Sequence, residues 1–184
     1  KPKFIIIDKK ISKNNNVRFA GSDYKKGDKI ISSGEIINSS HILALKTLGI
    51  EKINVKKKPL IVFYSTGNEI SEKNNIPDWK VRNSNIHYIK SLSKNLFFKV
   101  VDGGILRDND DKFLKKIISK NLKSKYDIII TNGAVSAGKF DFVPNVIKKY
   151  KLSKYFKGVA IRPGKPILFG KFKDKQKAIF GLPG

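Results

Sequence analysis

The spacing of hydrophobic and polar positions changes at about residue 58. After that point, short apolar runs alternate with segments in which apolar residues recur at helical spacing. The apolar runs predict strands at 60–64, 98–101 and 128–130, and the amphipathic segments predict helices at 85–96, 112–122 and 142–150. Strands separated by helices require crossover connections, which favour a mostly parallel sheet covered by helices on both faces. The predicted fold class of this part is therefore α/β.

The first 57 residues follow a different pattern, in which short strands and turns surround one helix. Strands are predicted at 29–32 and 50–55, and the helix begins after Asn38 or Ser39 and ends at Gly49. A polar hinge, Lys56-Lys57-Lys58-Pro59, follows. We therefore predict two domains, a small, partial β-rich segment with one helix at 1–57 and an α/β domain at 58–184. The sequence contains no Met and ends on turn residues after an apolar segment, which predicts a piece of a longer protein.

Charge and composition narrow the class of partner. The formal net charge is +24, but only four of the 39 basic residues are Arg, which is the residue favoured for reading bases. We therefore expect no nucleic-acid partner, whereas an anionic, phosphorylated small substrate is compatible with the charge. The absence of Cys excludes disulfides, thiolate metal sites and cysteine nucleophiles. Without an apolar run of the roughly 18 residues that a membrane span needs, and without a signal peptide pattern, we expect a cytoplasmic protein.

Polar residues lie in the loops that follow the predicted strands, at the edge where parallel sheets bind ligands. The loops to inspect come after Tyr64, Val101 and Ile130, and they comprise residues 65–69, 102–108 and 131–143. The third loop is rich in glycines and hydroxyls and leads into a helix at Phe142, which predicts a phosphate cradle. Further on, Arg162-Pro163-Gly164-Lys165-Pro166 places two cations around a rigid turn.

A series of motifs then occurs in a specific order along the chain. The motifs are Ala20-Gly21-Ser22-Asp23, Thr47-Leu48-Gly49-Ile50, Ser65-Thr66-Gly67-Asn68-Glu69, Asn83-Ser84-Asn85, Gly133-Ala134-Val135-Ser136-Ala137-Gly138 with Asp141, Arg162-Pro163-Gly164-Lys165-Pro166 and Gly181-Leu182-Pro183-Gly184. This series resembles the molybdopterin molybdotransferase family, typified by bacterial MoeA and the gephyrin E domain, from about Arg18 to the last residue. The resemblance implies insertion of molybdate into adenylylated molybdopterin, with release of AMP, assisted by Mg²⁺ and carried out by a homodimer.

The resemblance also implies roles for individual residues. The substrate's phosphate would be bound by Thr66, Gly67, Thr131, Gly133, Ser136 and Gly138. Glu69, Asp108 and Asp141 are the candidates for binding the metal or positioning the attacked phosphate. An anion, either molybdate or phosphate, would be bound by Arg162, Pro163, Gly164 and Lys165. Asp23 resembles an acidic catalytic position of the first domain, which helps to complete a site in the family's dimer.

Other readings of the same residues stay open. Asp108 and Asp141 could instead cap the helices that follow them, and Asp23 could stabilise a turn. Asn68 and Asn83 stand where the family usually has Asp, which removes negative charge. A molybdopterin adenylyltransferase, similar to the second domain alone, is one alternative function. A scaffold module that holds the pterin without turnover is another.

Overall fold

The chain divides into two compact units, residues 1–55 and 56–184. The computed structural model describes residues 3–4, 6–107, 111–135, 142–173 and 175–184. Within these ranges, no helix is long and apolar enough to cross a membrane.

In its described residues, the first unit contains one helix, α1 (Ser39–Thr47). Its start is fixed by Asn38, whose side-chain oxygen accepts a hydrogen bond from the His41 amide at 3.1 Å, while the Asn38 amide donates to His41 Nδ1 at 3.3 Å. Gly49 follows the helix with a φ of +71°, a conformation that ends helices and favours glycine. The predicted helix and both of its end signals are confirmed.

The strands predicted at 29–32 and 50–55 are wrong, because the described residues of the first unit form no strand. A strand exists through the hydrogen bonds it makes with a neighbouring strand, so an alternating sequence cannot produce one alone. Ile53 and Val55 alternate with polar residues as a strand would, yet both side chains are exposed. This segment has strand-like composition without a partner strand in its unit.

The second unit is built around a six-stranded sheet. Its elements are β1 (Leu60–Thr66), β2 (Ile70–Ser71), β3 (Val81–Arg82), α2 (Asn85–Ser93), β4 (Lys99–Leu106), α3 (Asp111–Leu122), β5 (Ile128–Asn132), α4 (Phe142–Ile147), β6 (Leu152–Lys157), β7 (Leu168–Phe172) and β8 (Ala178–Leu182). The strand order is β4-β1-β5-β8-β7-β6, and β2 pairs with β3 in a separate small sheet. Strands β4, β1, β5 and β8 are mutually parallel, whereas β7 is antiparallel to both of its neighbours. The predicted α/β class with a mostly parallel sheet is confirmed.

The central strands supply the core. Val62, Ile129 and Ile179 lie side by side on β1, β5 and β8, and all three are buried against residues of α3 and α4 such as Leu114 and Val146. Successive side chains of a strand point to opposite faces, so Phe63, only 1% exposed, faces away from this cluster. Burying both faces of the central strands explains why their sequences are continuously apolar.

The segment that the sequence predicted as the second loop is largely strand. β4 continues through Gly103 and Gly104 to Leu106, with a bulge at Gly103, since Phe63 pairs with Asp102 and Tyr64 with Gly104. A Cβ on Gly103 would lie 2.5 Å from the Tyr64 ring, so the glycine makes room for that buried side chain. The two glycines therefore serve strand geometry rather than a loop.

Candidate functional site

A cleft opens at the carboxyl ends of β1 and β5, the edge at which parallel α/β sheets bind ligands. Its volume is about 400 Å³, within the range of small-molecule sites. The lining residues are Ser65, Thr66, Gly67, Glu69, Ile70, Val81, Arg82, Asn83, Ser84, Asn85, Asn132, Gly133, Ala134 and Gly184. Of the predicted site residues, the structure brings Thr66, Gly67, Glu69 and Gly133 together around this cleft.

The turn after β1 carries Glu69 into the cleft. Gly67 has a φ of +140°, and its amide donates to the Leu106 carbonyl at the end of β4 at 3.0 Å. A Cβ on Gly67 would lie 2.5 Å from the carboxyl carbon of Glu69, so this carboxylate folds back over the glycine. The absence of a side chain at position 67 therefore sets where the Glu69 carboxylate can lie.

The turn after β5 begins with two residues of positive φ, Gly133 at +99° and Ala134 at +55°. A Cβ on Gly133 would lie 2.8 Å from the Thr66 carbonyl oxygen. The Gly133 amide donates to the Leu182 carbonyl at 2.8 Å, so it already has a partner in the protein. Gly133 thus lets a ligand come close to the backbone but does not offer its own N–H, which differs from the predicted cradle.

Asn132, which sequence reasoning did not single out, joins three parts of the cleft. Its side-chain oxygen accepts from Asn85 Nδ2 at 2.5 Å, its Nδ2 donates to the Pro183 carbonyl, and its backbone carbonyl accepts from Thr66 Oγ1 at 2.8 Å. Thr131, the predicted substrate contact, is fully buried and is not part of the cleft lining. Asn132 lines the cleft in place of Thr131 because β5 continues through Asn132, and neighbouring side chains of a strand point to opposite faces of the sheet.

Ser65 and Asn83 form a buried polar pair in the cleft wall. Ser65 Oγ donates to Asn83 Oδ1 at 2.6 Å, and Asn83 is only 6% exposed. Asn83 also places its Nδ2 3.5 Å from Glu72 Oε1. An amide oxygen accepts the serine hydrogen bond as a carboxylate would, so Asn at this position keeps the contact without burying a charge.

Other predicted residues lie elsewhere. Arg162, Pro163, Gly164 and Lys165 belong to the connection between β6 and β7, which reaches the same edge of the sheet because Leu168 pairs with Gly181, but they do not line the cleft. Asp23 lies in the first unit, where it accepts a hydrogen bond from the Arg18 guanidinium. Asp108, Ser136, Gly138 and Asp141 fall outside the described residues.

The cleft presents one carboxylate, Glu69, among its described lining residues. Nowhere in the described part of the chain do three His, Asp or Glu side chains cluster closely enough to hold a metal ion. Mg²⁺ characteristically takes one or two carboxylates and completes its shell with water and substrate phosphate oxygens. A single carboxylate at the end of the sheet therefore fits a magnesium ion that arrives with a phosphorylated substrate.

This fold and cleft define the chain as an α/β protein with an open cleft at the carboxyl edge of its parallel strands. Residues 63–184 match the sequence family described as "Probable molybdopterin binding domain". The chain belongs to this family, and the resemblance inferred from its motifs is confirmed.

Individual relatives agree with this assignment. The molybdopterin molybdenumtransferase of Staphylococcus aureus (strain Mu50) is 37% identical over 180 residues, which cover 97% of this chain and 42% of the relative. The protein of the same name from Staphylococcus epidermidis is 35% identical over 92% of this chain and 40% of its own length. The crystal structure of the molybdopterin biosynthesis moeA protein from Pyrococcus horikoshii superposes with a TM-score of 0.69 and 30% identity, over 88% of this chain and 39% of that one. The chain thus spans about two fifths of the length of the relatives it matches.

Proposed function

We propose that the protein acts in molybdenum cofactor biosynthesis, in the insertion of molybdate into adenylylated molybdopterin with release of AMP. The observation that carries the proposal is the cleft itself, in which Thr66, Gly67, Glu69 and Gly133 meet at the carboxyl edge of the sheet. The names of the staphylococcal relatives support the same reaction.

The described residues suit a substrate that carries phosphate. The two left-handed glycines, Gly67 and Gly133, leave the backbone accessible to close approach. Helix α2 begins at the cleft with Ser84 and Asn85, so the positive end of its dipole would face an anion bound there. Arg82 adds a cation to the same wall. Together these groups would hold the phosphate end of adenylylated molybdopterin.

Glu69 is the residue proposed to hold Mg²⁺, with Asp108 and Asp141 as further ligands predicted from the sequence. The ion would neutralise charge on the phosphate oxygens of the bound substrate. The contribution of the protein would be to hold the Glu69 carboxylate over Gly67, so that the carboxylate meets the substrate in one orientation. Ser136 and Gly138, predicted from the sequence, would contribute to the phosphate site, and Arg162 to Lys165 would bind an anion at the same edge of the sheet.

The proposed assembly is a homodimer in the cytoplasm, in which Asp23 of the first unit helps to complete a site. The resemblance to the molybdotransferase family supports this assembly. The scarcity of Arg among the basic residues supports a small-molecule substrate rather than nucleic acid.

The test compares two neighbouring carboxylates in the full-length protein that contains this sequence. Glu69→Gln is expected to lower molybdate-dependent AMP release at least about tenfold, because an amide cannot supply the charged ligand. Glu72→Gln is the matched control, since Glu72 follows β2 and does not line the cleft, and glutamine keeps the side-chain oxygen that lies 3.5 Å from Asn83 Nδ2. Circular dichroism spectra of both variants should equal that of the unmodified protein.

Four outcomes would contradict the proposal or its assignment of Glu69. Equal loss of AMP release in both variants would show a general charge effect, and unchanged release in Glu69→Gln would remove Glu69 from the reaction. Loss of the fold in Glu69→Gln would make the residue structural. Binding of adenylylated molybdopterin without molybdate-dependent release by the unmodified protein would support the scaffold alternative.

A further inference from the structure

Arg107 stands at the end of β4 and reaches across to the turn that follows β1. Its Nη1 donates to the carbonyl oxygens of Gly67 at 3.0 Å, Asn68 at 3.3 Å and Ile70 at 3.0 Å. These three carbonyls lie on both sides of Glu69 in the chain. One guanidinium nitrogen therefore gathers the backbone around the carboxylate that faces the cleft.

The backbone of the turn from Gly67 to Ile70 is also held by other contacts, since Ile70 belongs to β2 and pairs with Val81 of β3. The Gly67 amide donates to the Leu106 carbonyl at 3.0 Å, and the Glu69 carbonyl accepts from the Val81 amide at 3.0 Å. Hydrogen bonds from a charged donor are stronger than those between neutral groups. The three contacts of Arg107 thus add hydrogen bonds from a charged donor to those that fix the conformation of this turn.

We infer that Arg107 is a positioning residue that holds the Glu69 carboxylate in the cleft by clamping the carbonyls of Gly67, Asn68 and Ile70. The guanidinium acts through the backbone, because Nη1 donates to carbonyl oxygens on both sides of Glu69. Lysine would keep the charge, but its ammonium nitrogen ends one bond short of the position of Nη1, on a flexible stem without the planar fork of arginine. The link from this clamp to catalysis rests on the proposed function, whereas the clamp itself does not.

The first experiment measures whether Arg107 and Glu69 act as one unit in the full-length protein. Arg107→Lys keeps the charge and is expected to lower the kcat of molybdate-dependent AMP release about tenfold, with the KM for adenylylated molybdopterin changed less than twofold. In a Glu69→Gln background, the same substitution should have no further effect. Independent, multiplicative losses would overturn the inference, and so would unchanged kcat in Arg107→Lys.

The second experiment needs no substrate and tests the clamp directly by hydrogen exchange. The Gly67 amide should exchange about tenfold faster in Arg107→Lys, because a lost charged hydrogen bond of about 1.5 kcal/mol corresponds to that factor. Lys90→Gln is the control. It breaks the 3.2 Å ion pair between Lys90 of α2 and Asp102 of β4, and neither residue lies in the turn. In this control, the exchange rate of the Gly67 amide should equal that in the unmodified protein.

The two experiments separate failure of the clamp from failure of the proposed function. If the unmodified protein released no AMP but Gly67 exchanged faster in Arg107→Lys, the clamp would stand and the proposed function would fail. Unchanged Gly67 exchange would overturn the clamp whatever the activity. Loss of the fold in Arg107→Lys would give Arg107 a purely structural role and would also overturn the inference.

Discussion

Two glycine turns border the cleft, and they look alike until their surroundings are compared. Gly67 and Gly133 both have positive φ, and each donates its amide to a carbonyl at the end of a neighbouring strand. A side chain at position 67 would meet the carboxyl end of Glu69, whereas one at position 133 would meet the backbone carbonyl of Thr66. The carboxylate can move away by rotating, but the carbonyl can move only with β1. The backbone conformation favours glycine at both positions, and the neighbouring group adds a fixed obstacle at 133 and a movable one at 67.

The largest effect is expected for Gly133→Ala. Alanine at a φ of +99° is strained, and its Cβ would overlap the Thr66 carbonyl, so the free energy of unfolding should fall by about 3 kcal/mol or more. Urea denaturation followed by circular dichroism measures the change. A loss below about 1 kcal/mol would show that β1 can shift, which would remove the difference between the two turns.

A smaller effect is expected for Gly103→Ala, which isolates the contribution of space. The φ of Gly103 lies outside the left-handed region, and the obstacle is the ring of buried Tyr64. The free energy of unfolding should fall by about 2 kcal/mol, and adding Tyr64→Leu should recover part of that loss. Failure of the second substitution to recover any stability would mean that the bulge, and not the ring, sets the cost.

The smallest stability effects are expected for Gly67→Ala and its matched control, Gly104→Ala. Gly104 has a φ of +92° with nothing within 4 Å of an added Cβ, so it isolates the conformational cost of about 1–2 kcal/mol. Gly67→Ala should lose a similar amount, because the Glu69 carboxylate can rotate away. Molybdate-dependent AMP release should nevertheless fall at least about tenfold in Gly67→Ala alone. Equal activity in the two variants would show that the position of Glu69 over Gly67 has no function.

The sequence predicted the elements whose formation depends on residues close together in the chain. Continuous apolar runs, such as the one around Val62, predicted the buried parallel strands. The alternation of strands and helices along the chain predicted that ligands bind at the carboxyl ends of these strands. Strands that depend on distant partners escaped this reasoning. β6 carries the exposed aromatic residues Tyr155 and Phe156 and exists through its pairing with β7, which no local pattern of hydrophobicity specifies.

The residues of the cleft fall into the same two groups, those that the sequence predicted and those that depend on distant contacts. Gly67, Glu69 and Gly133 were found because glycines and carboxylates after strands are visible in the sequence. The contacts of Arg107 with residues near Gly67 join positions about 40 residues apart, and those of Asn132 reach 51 residues to Pro183. Such contacts depend on the order of strands in the sheet, which the sequence did not specify.

The charge of the cleft lining differs from that of the chain as a whole. The sequence carries a formal charge of +24, yet the described lining residues include one anion, Glu69, and one cation, Arg82. Arrival and retention of an anionic ligand therefore depend on different parts of the molecule. We expect the lysine-rich surface to raise the encounter rate in a salt-dependent manner, and dissociation from the nearly neutral cleft to vary less with ionic strength.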